Sequence, residues 1–377
     1  MNSVQRYADW CRHIALPYWA EHAWDRRSGG FLEALSLDGR PVTGDSRRVR
    51  TQARQVYVFA RAHIAGWCDS ADLAIDGYEL LEQRAKAPDG SGGWVHRLTD
   101  SGGVEDSTRD LYDHTFILLA LAWLYRLTHD PRYRREAEAI LAFLDADLRH
   151  VHGGYAESVG APTLTRRQNP HMHFFECMLA WHAVTGDRMW LDRASEVLGL
   201  LVTRFIDSAS GCLMEFFDDQ WRPDPSTVGD VVEPGHEMEW VWLLDSYQRA
   251  GGPVPDQIAK RLYHHAQMFG VNPATGFMMS AISRDGRALQ GGSRTWVQTE
   301  WLRAALARYR QGSSANLSEA ETAAAELLRW HVDPAGTGGW IDHVDEIGHR
   351  AVDRIPASTL YHLFGAALDA ADATRES

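Results

Sequence analysis

Apolar positions along this chain follow two alternating rhythms. Long stretches repeat at helical spacing, and short stretches between them alternate from one residue to the next. The helical stretches fall near residues 4–23, 50–66, 70–86, 109–128, 131–149, 170–185, 188–206, 234–250, 256–269, 294–310, 315–331 and 357–372. Junctions such as Thr128-His-Asp-Pro131 and Thr185-Gly-Asp187 separate them, as stop and start signals do. The short stretches share one pattern: a glycine, an apolar or aromatic residue, a few alternating residues, and often a turn such as Asp-Gly. They begin at Gly30, Gly93, Gly154, Gly211, Gly276 and Gly339, so they lie 63, 61, 57, 65 and 63 residues apart. Several read as small β-hairpins.

A period near 60 residues, with two helices and one hairpin in each, is a repeat architecture. Six helix pairs that close on themselves give an all-α (α/α)6 barrel of twelve helices with short hairpins at one mouth. An open superhelix is the alternative, but no polar capping repeat marks either end. No linker or low-complexity segment breaks the chain, so residues 1–377 read as one domain. Each hairpin precedes an even-numbered helix, which puts those helices in the inner ring. The first turns of the even helices are therefore the first place to look for a site.

Three of those helices begin alike. Asn169-Pro170, Glu233-Pro234 and Ile355-Pro356 start them, and proline suits the first helical position. Each then offers histidine early: His171 and His173, His236, and His362. Taken singly, each histidine reads as a packed or surface residue. Three in equivalent places of a repeat point to a site. In Glu233-Pro-Gly-His-Glu-Met-Glu-Trp240, Glu233 is placed to cap the helix. Gly235, a poor helix former, implies a close approach to the backbone. His236 and Glu239, three apart, share a face with Trp240, four on from His236. The second helix supplies Arg50 and Arg54 one turn apart, in an otherwise apolar stretch where buried arginines need partners. The fourth helix offers Tyr112, Asp113 and His114, and the tenth offers Arg294, Trp296 and Glu300.

Composition narrows the function. The net charge of −13, with no basic run longer than two residues, argues against nucleic acid and anionic lipid. No apolar run approaches 18 residues, so no membrane helix is expected. Four scattered cysteines without paired spacing fit reduced thiols and a cytoplasmic protein. Fifteen tryptophans are ample for the stacking walls of a sugar pocket. His171 and His173 point about 200° apart on a helix and cannot chelate together. No His-Glu-x-x-His, cysteine pair, phosphate loop or nucleophile elbow is present. No metal or cofactor is expected.

The chain resembles the N-acylglucosamine 2-epimerase superfamily of sugar epimerases and isomerases. The resemblance rests on Gln52-Ala-Arg-Gln-Val-Tyr57, Asn169-Pro-His-Met-His173, Pro234-Gly-His-Glu-Met-Glu-Trp240 and Ser358-Thr-Leu-Tyr-His362, and it covers nearly the whole chain. It implies the (α/α)6 barrel, acid/base roles for His236 and His362, and an Arg54 that holds the reacting oxygens. It implies further site residues at His173 and Glu239, and aromatic walls at Trp296 and Trp340. Epimerases of this family tend to carry an arginine shortly after the last histidine. Here Tyr361-His-Leu-Phe-Gly365 has none, and the ending resembles the isomerases of free mannose. The expectation is therefore a mannose–fructose isomerase, monomeric or homodimeric, with Arg50, Tyr112, Asp113 and Glu300 completing the sugar site. A sugar 2-epimerase is the alternative. Two other classes are a glycoside hydrolase using Asp113 and Glu239 and a non-catalytic binding protein. The clustered histidines argue against the first and the intact motifs against the second.

Overall fold

The computed structural model describes residues 2–159, 165–255, 257–312 and 315–375. Asp256, the first residue of the expected ninth helix, lies outside them. Among the described residues, twelve helical rods alternate. The outer ones are α1 (Ser3–Trp10, carried through a π turn at Cys11–Ala15 into Leu16–His22), α3 (Ala71–Ala85), α5 (Pro131–Phe143), α7 (Arg188–Leu200), α9 (Ile258–Gly270) and α11 (Ala315–Leu327). The inner ones are α2 (Val49–Ile64), α4 (Leu111–Thr128), α6 (Asn169–Thr185), α8 (Pro234–Arg249), α10 (Thr295–Arg310) and α12 (Leu360–Arg375). Each inner helix packs on the next, and α12 packs back on α2, which closes the ring.

Burial separates the two rings. Every residue of α10 from Thr295 to Ala307 is buried, polar ones included. The same holds for α8 from Pro234 to Asp245. A helix covered on all sides lies inside a larger core, and its buried polar side chains must find partners within the barrel. The outer helix α5 buries only a stripe: Tyr133, Ala137, Ile140, Leu141 and Phe143.

Hairpins form within repeats, as where Leu98 pairs with Val104 and Ile282 with Ala288. The short strands also pair with a neighbouring repeat, on the strand that leads into that repeat's inner helix. Thus Leu98 pairs with Arg47, Ser158 with Asp110, Phe217 with Arg166, Ile282 with Val232 and Val344 with Ser293. Leu35 pairs with Ile355, joining the first repeat to the last. The final helix consequently starts later than its proline suggests. Arg354–Pro356 is a strand, Ala357–Thr359 a single 3-10 turn, and α12 begins at Leu360. The ring of strands holds the first turns of all six inner helices at one end. Among the described residues, no helix is long and apolar enough to cross a membrane.

Candidate active site

Carboxylates fix both leading histidines, but from unexpected places. His236, early in α8, bonds through Nδ1 to Glu215 Oε1 at 3.0 Å. Glu215 comes from the strand segment of the preceding repeat and also accepts from Gln168. Glu239 does not orient His236: it sits a turn deeper in the barrel, where both its oxygens are buried without a hydrogen-bond partner. Glu233 makes no cap hydrogen bond; its carboxylate lies 3.8 Å from His236 instead. His362, early in α12, bonds through Nδ1 to Glu300 Oε1 at 2.8 Å. The other oxygen of Glu300 accepts from Trp242 Nε1 at 2.6 Å.

The indole of Trp296 bridges the two histidines. Its ring centroid is 5.0 Å from that of His236 and 5.7 Å from that of His362. This explains Gly235. A Cβ there would stand 2.5 Å from Trp296 Cζ3, so only glycine lets the indole reach the helix backbone. Gly235→Ala is expected to push Trp296 from its place, destabilise the fold by about 1–3 kcal/mol as overpacking does, and lower activity with it. Denaturant unfolding and steady-state kinetics measure both, and a fully stable, fully active variant would contradict the packing described.

Arg54 adds a flat cation. Its guanidinium lies 4.0 Å over the ring of Phe116 and 5.0 Å over that of Tyr361. One arm donates to the Tyr112 hydroxyl at 2.9 Å, and Nε is buried without a partner. His173 bonds Glu176 at 3.0 Å, lies 3.8 Å from Glu239 and packs beside Tyr112 and Phe116. Tyr361 donates to the same Glu176. Arg50 pairs with Asp113 at 3.1 Å, and the other oxygen of Asp113 meets His96 at 2.5 Å. This trio joins the site where Arg50 lies 5.6 Å over Tyr112.

The structure thus brings His236, His362, Arg54, His173, Glu239, Trp296, Glu300 and Tyr112 together, with Arg50 and Asp113 on one flank. Trp340 lies elsewhere. It is fully buried and stacks 5.0 Å from Trp19 of α1. Trp240 likewise packs on Phe175 and bonds Gln168 between inner helices; the tryptophan that reaches the site from α8 is Trp242. Glu215, Trp242, Glu176 and Tyr361 were not singled out from the sequence.

The surroundings pull the two histidines in opposite directions. Burial alone would lower the pKa of His236, but Glu215 and Glu233 outweigh it and push the imidazole up to about 10. Burial, with Arg54 and His173 adding to it, holds His362 well below its ordinary value. Burial, then the neighbouring Glu300 and Glu176, raises Glu239 far above the carboxylate range. Near neutral pH the site therefore offers an imidazolium, a neutral imidazole and a neutral carboxylic acid. Among the described residues, four groups of three histidine or carboxylate atoms lie within 4.8 Å, for example Glu239, Glu300 and His362. Each contains a histidine–carboxylate pair whose imidazole Nδ1 already faces a carboxylate.

One imidazole poised to accept a proton and another poised to give one, beside a guanidinium and an indole wall, is the equipment of an enzyme that shifts protons between neighbouring carbons and oxygens of a sugar. A family profile described as N-acylglucosamine 2-epimerase (GlcNAc 2-epimerase) matches residues 29–366. The chain belongs to this family and is a sugar isomerase or epimerase. It is 36% identical over 375 residues to a mannose-6-phosphate isomerase of Rhizobium meliloti (strain 1021), covering 97% of this chain and 96% of that one. It is 23% identical over 408 residues to a D-mannose isomerase of Pseudomonas cannabina pv. alisalensis, covering 97% and 95%. The solved cellobiose 2-epimerase from Bacillus thermoamylovorans B4167 shares the fold, with a TM-score of 0.88, 18% identity and 99% of both chains covered.

Proposed function

We propose that this protein is an aldose–ketose isomerase that interconverts D-mannose and D-fructose. The observation that carries the reading is the pair of imidazoles, each held through Nδ1 by a carboxylate, on either side of the Trp296 indole. His236, as imidazolium, protonates the ring oxygen while the anomeric hydroxyl gives its proton to water, the C1–O5 bond breaks and the C1 carbonyl forms. His362, neutral, then takes the proton from C2. As that C–H bond breaks, its electrons form the C1–C2 double bond and the carbonyl oxygen gains negative charge. Arg54 stabilises the two vicinal oxygens of the resulting cis-enediolate without titrating. A proton passes from O2 to O1, and return of the proton from His362 to C1, with C2–O2 becoming the carbonyl, gives the ketose. The neutral acid of Glu239 can donate to or accept from a hydroxyl, which would satisfy its unpartnered oxygens. Imidazole and guanidinium suffice for these steps, so no metal or cofactor is required.

The missing arginine after His362 favours isomerase over 2-epimerase. The free sugar is favoured because arginines near the mouth are already engaged: Arg48 by Glu33, Arg50 by Asp113 and Arg167 by Glu157. The relative at 36% identity is named for mannose 6-phosphate, which makes the phosphorylated sugar the second reading. Turnover of D-mannose and of its 6-phosphate, measured side by side, separates the two: kcat/KM higher for the phosphate reverses the preference.

The high pKa of His236 fixes the alkaline side of the profile. Its acid form is present at low pH and is lost as pH rises through about 10. Glu215→Gln removes the charge that most raises it. The alkaline limb of kcat/KM is therefore expected to move to lower pH, and an unmoved limb would mean that His236 is not the acid.

A further inference from the structure

One buried charged group of the barrel has no part in the reaction described so far. Arg303 lies on α10 one turn below Glu300, and its side chain is only 6% exposed. Its guanidinium sits 3.4 Å over the ring of Trp242. On another side is Gly365, where a Cβ would stand 3.3 Å from the guanidinium carbon. Nε bonds Asp369 at 2.8 Å, and Nη1 lies 3.6 Å from Glu300 Oε2. The chain Asp369–Arg303–Glu300–His362 thus runs from the floor of the barrel to the proposed base.

We infer that Arg303, held by Asp369, is a positioning residue that keeps Glu300 ionised and so keeps the His362 ring nitrogen that faces the sugar free of its proton. The inference rests on His362 being the base. An ionised Glu300 can only accept a hydrogen bond, so the imidazole carries its proton on Nδ1 and presents a basic Nε2. A protonated Glu300 would donate to Nδ1 instead. The ring proton would then sit on Nε2, and the base would be lost.

The surroundings make Arg303 decisive. Glu300 is faced by His362 of α12, Glu239 of α8, Glu176 and His173 of α6 and Tyr7 of α1. Two of these are carboxyl groups, and each opposes a further negative charge. Burial pushes Glu300 up to about 7; the Arg303 charge and the Trp242 hydrogen bond work against that rise. Asp369 draws part of Arg303's charge away from Glu300, so the two outer partners act in opposite senses.

Arg303 also borders a cavity of about 620 Å³ at the C-terminal ends of the inner helices, beside Glu176 and Trp242 and away from the proline-started mouth. A small cation can approach the arginine position from that end without passing the sugar site.

The test reads the tautomer directly. In the free enzyme labelled with 15N-histidine, with His362 assigned by its absence in His362→Asn, the Nδ1–H tautomer is expected to grow in through about pH 7 and to dominate above it. Arg303→Met, which keeps the stem but not the charge, is expected to switch it to Nε2–H. In kinetics the same variant raises the acidic limb of kcat by about one pH unit, a tenfold loss below it, with KM little changed. Asp369→Asn moves that limb the other way. Millimolar guanidinium, entering through the cavity, restores part of the activity of Arg303→Ala. A folded Arg303→Met that keeps the Nδ1–H tautomer, or loses kcat equally at all pH values, overturns the inference. If that variant does not fold, Asp369→Asn decides by the direction of its shift. Because the tautomer is read without substrate, a wild-type enzyme inactive on every sugar would defeat the functional reading and leave this result separate.

Discussion

Replacing His362 by asparagine is expected to lower kcat at least about 100-fold, the scale of losing a general acid or base. The reason is geometric. His362 Nδ1 is held at 2.8 Å by Glu300, so the ring is locked with Nε2 free to act. Asparagine can still donate to Glu300 from a similar position, which keeps the buried carboxylate satisfied and the fold intact. It cannot take a proton from carbon. His236→Asn should cost as much for the complementary reason: it removes the imidazolium and leaves Glu215 and Glu233 without their cation. Circular dichroism would confirm folding, and a variant of either histidine with more than half of wild-type kcat would remove that residue from the mechanism.

Arg54→Lys is the second large effect, with a loss on the order of 100-fold, as for removing one oxyanion donor. Charge is conserved in this substitution, so the prediction concerns shape. The guanidinium lies flat over Phe116 and Tyr361 and reaches Tyr112 with one arm. Its buried Nε has no partner. A planar fork can hold two vicinal oxygens at once, and an ammonium cannot. The loss should appear mainly in kcat, because the charge on those oxygens develops in the transition state. Near-normal kinetics for the lysine variant would reduce Arg54 to a structural cation.

The barrel and the histidine positions were legible in the sequence because they repeat. Glycine-led segments at spacings of 57–65 residues mark each turn of the ring, and proline-started helices mark its mouth. Gly235 was legible too, as a helix position that something must approach; the structure supplies Trp296. What escaped lies on contacts that no local spacing encodes. Glu215 serves His236 from 21 residues away, across the strand ring. Trp242 was passed over for Trp240 because α8 is buried on all sides, so periodicity cannot tell which face looks inward. The resemblance makes Trp340 a wall, but Phe31, Trp94 and Tyr155 fill the same place in other repeats and are all buried. Comparing the six repeats position by position would have carried that signal.

The most direct test of the proposed reaction is NMR of the enzyme with D-mannose in D2O. Isomerase and 2-epimerase both begin by removing the proton on C2 of the open-chain aldose. An isomerase returns a proton to C1 on the same face of the cis-enediol, so one base suffices. A 2-epimerase returns one to C2 from the opposite face. The predicted result is fructose as the main early product, deuterated at C1, with some proton retained by direct transfer through His362. Glucose appearing first, fully deuterated at C2 and with little fructose, would contradict it.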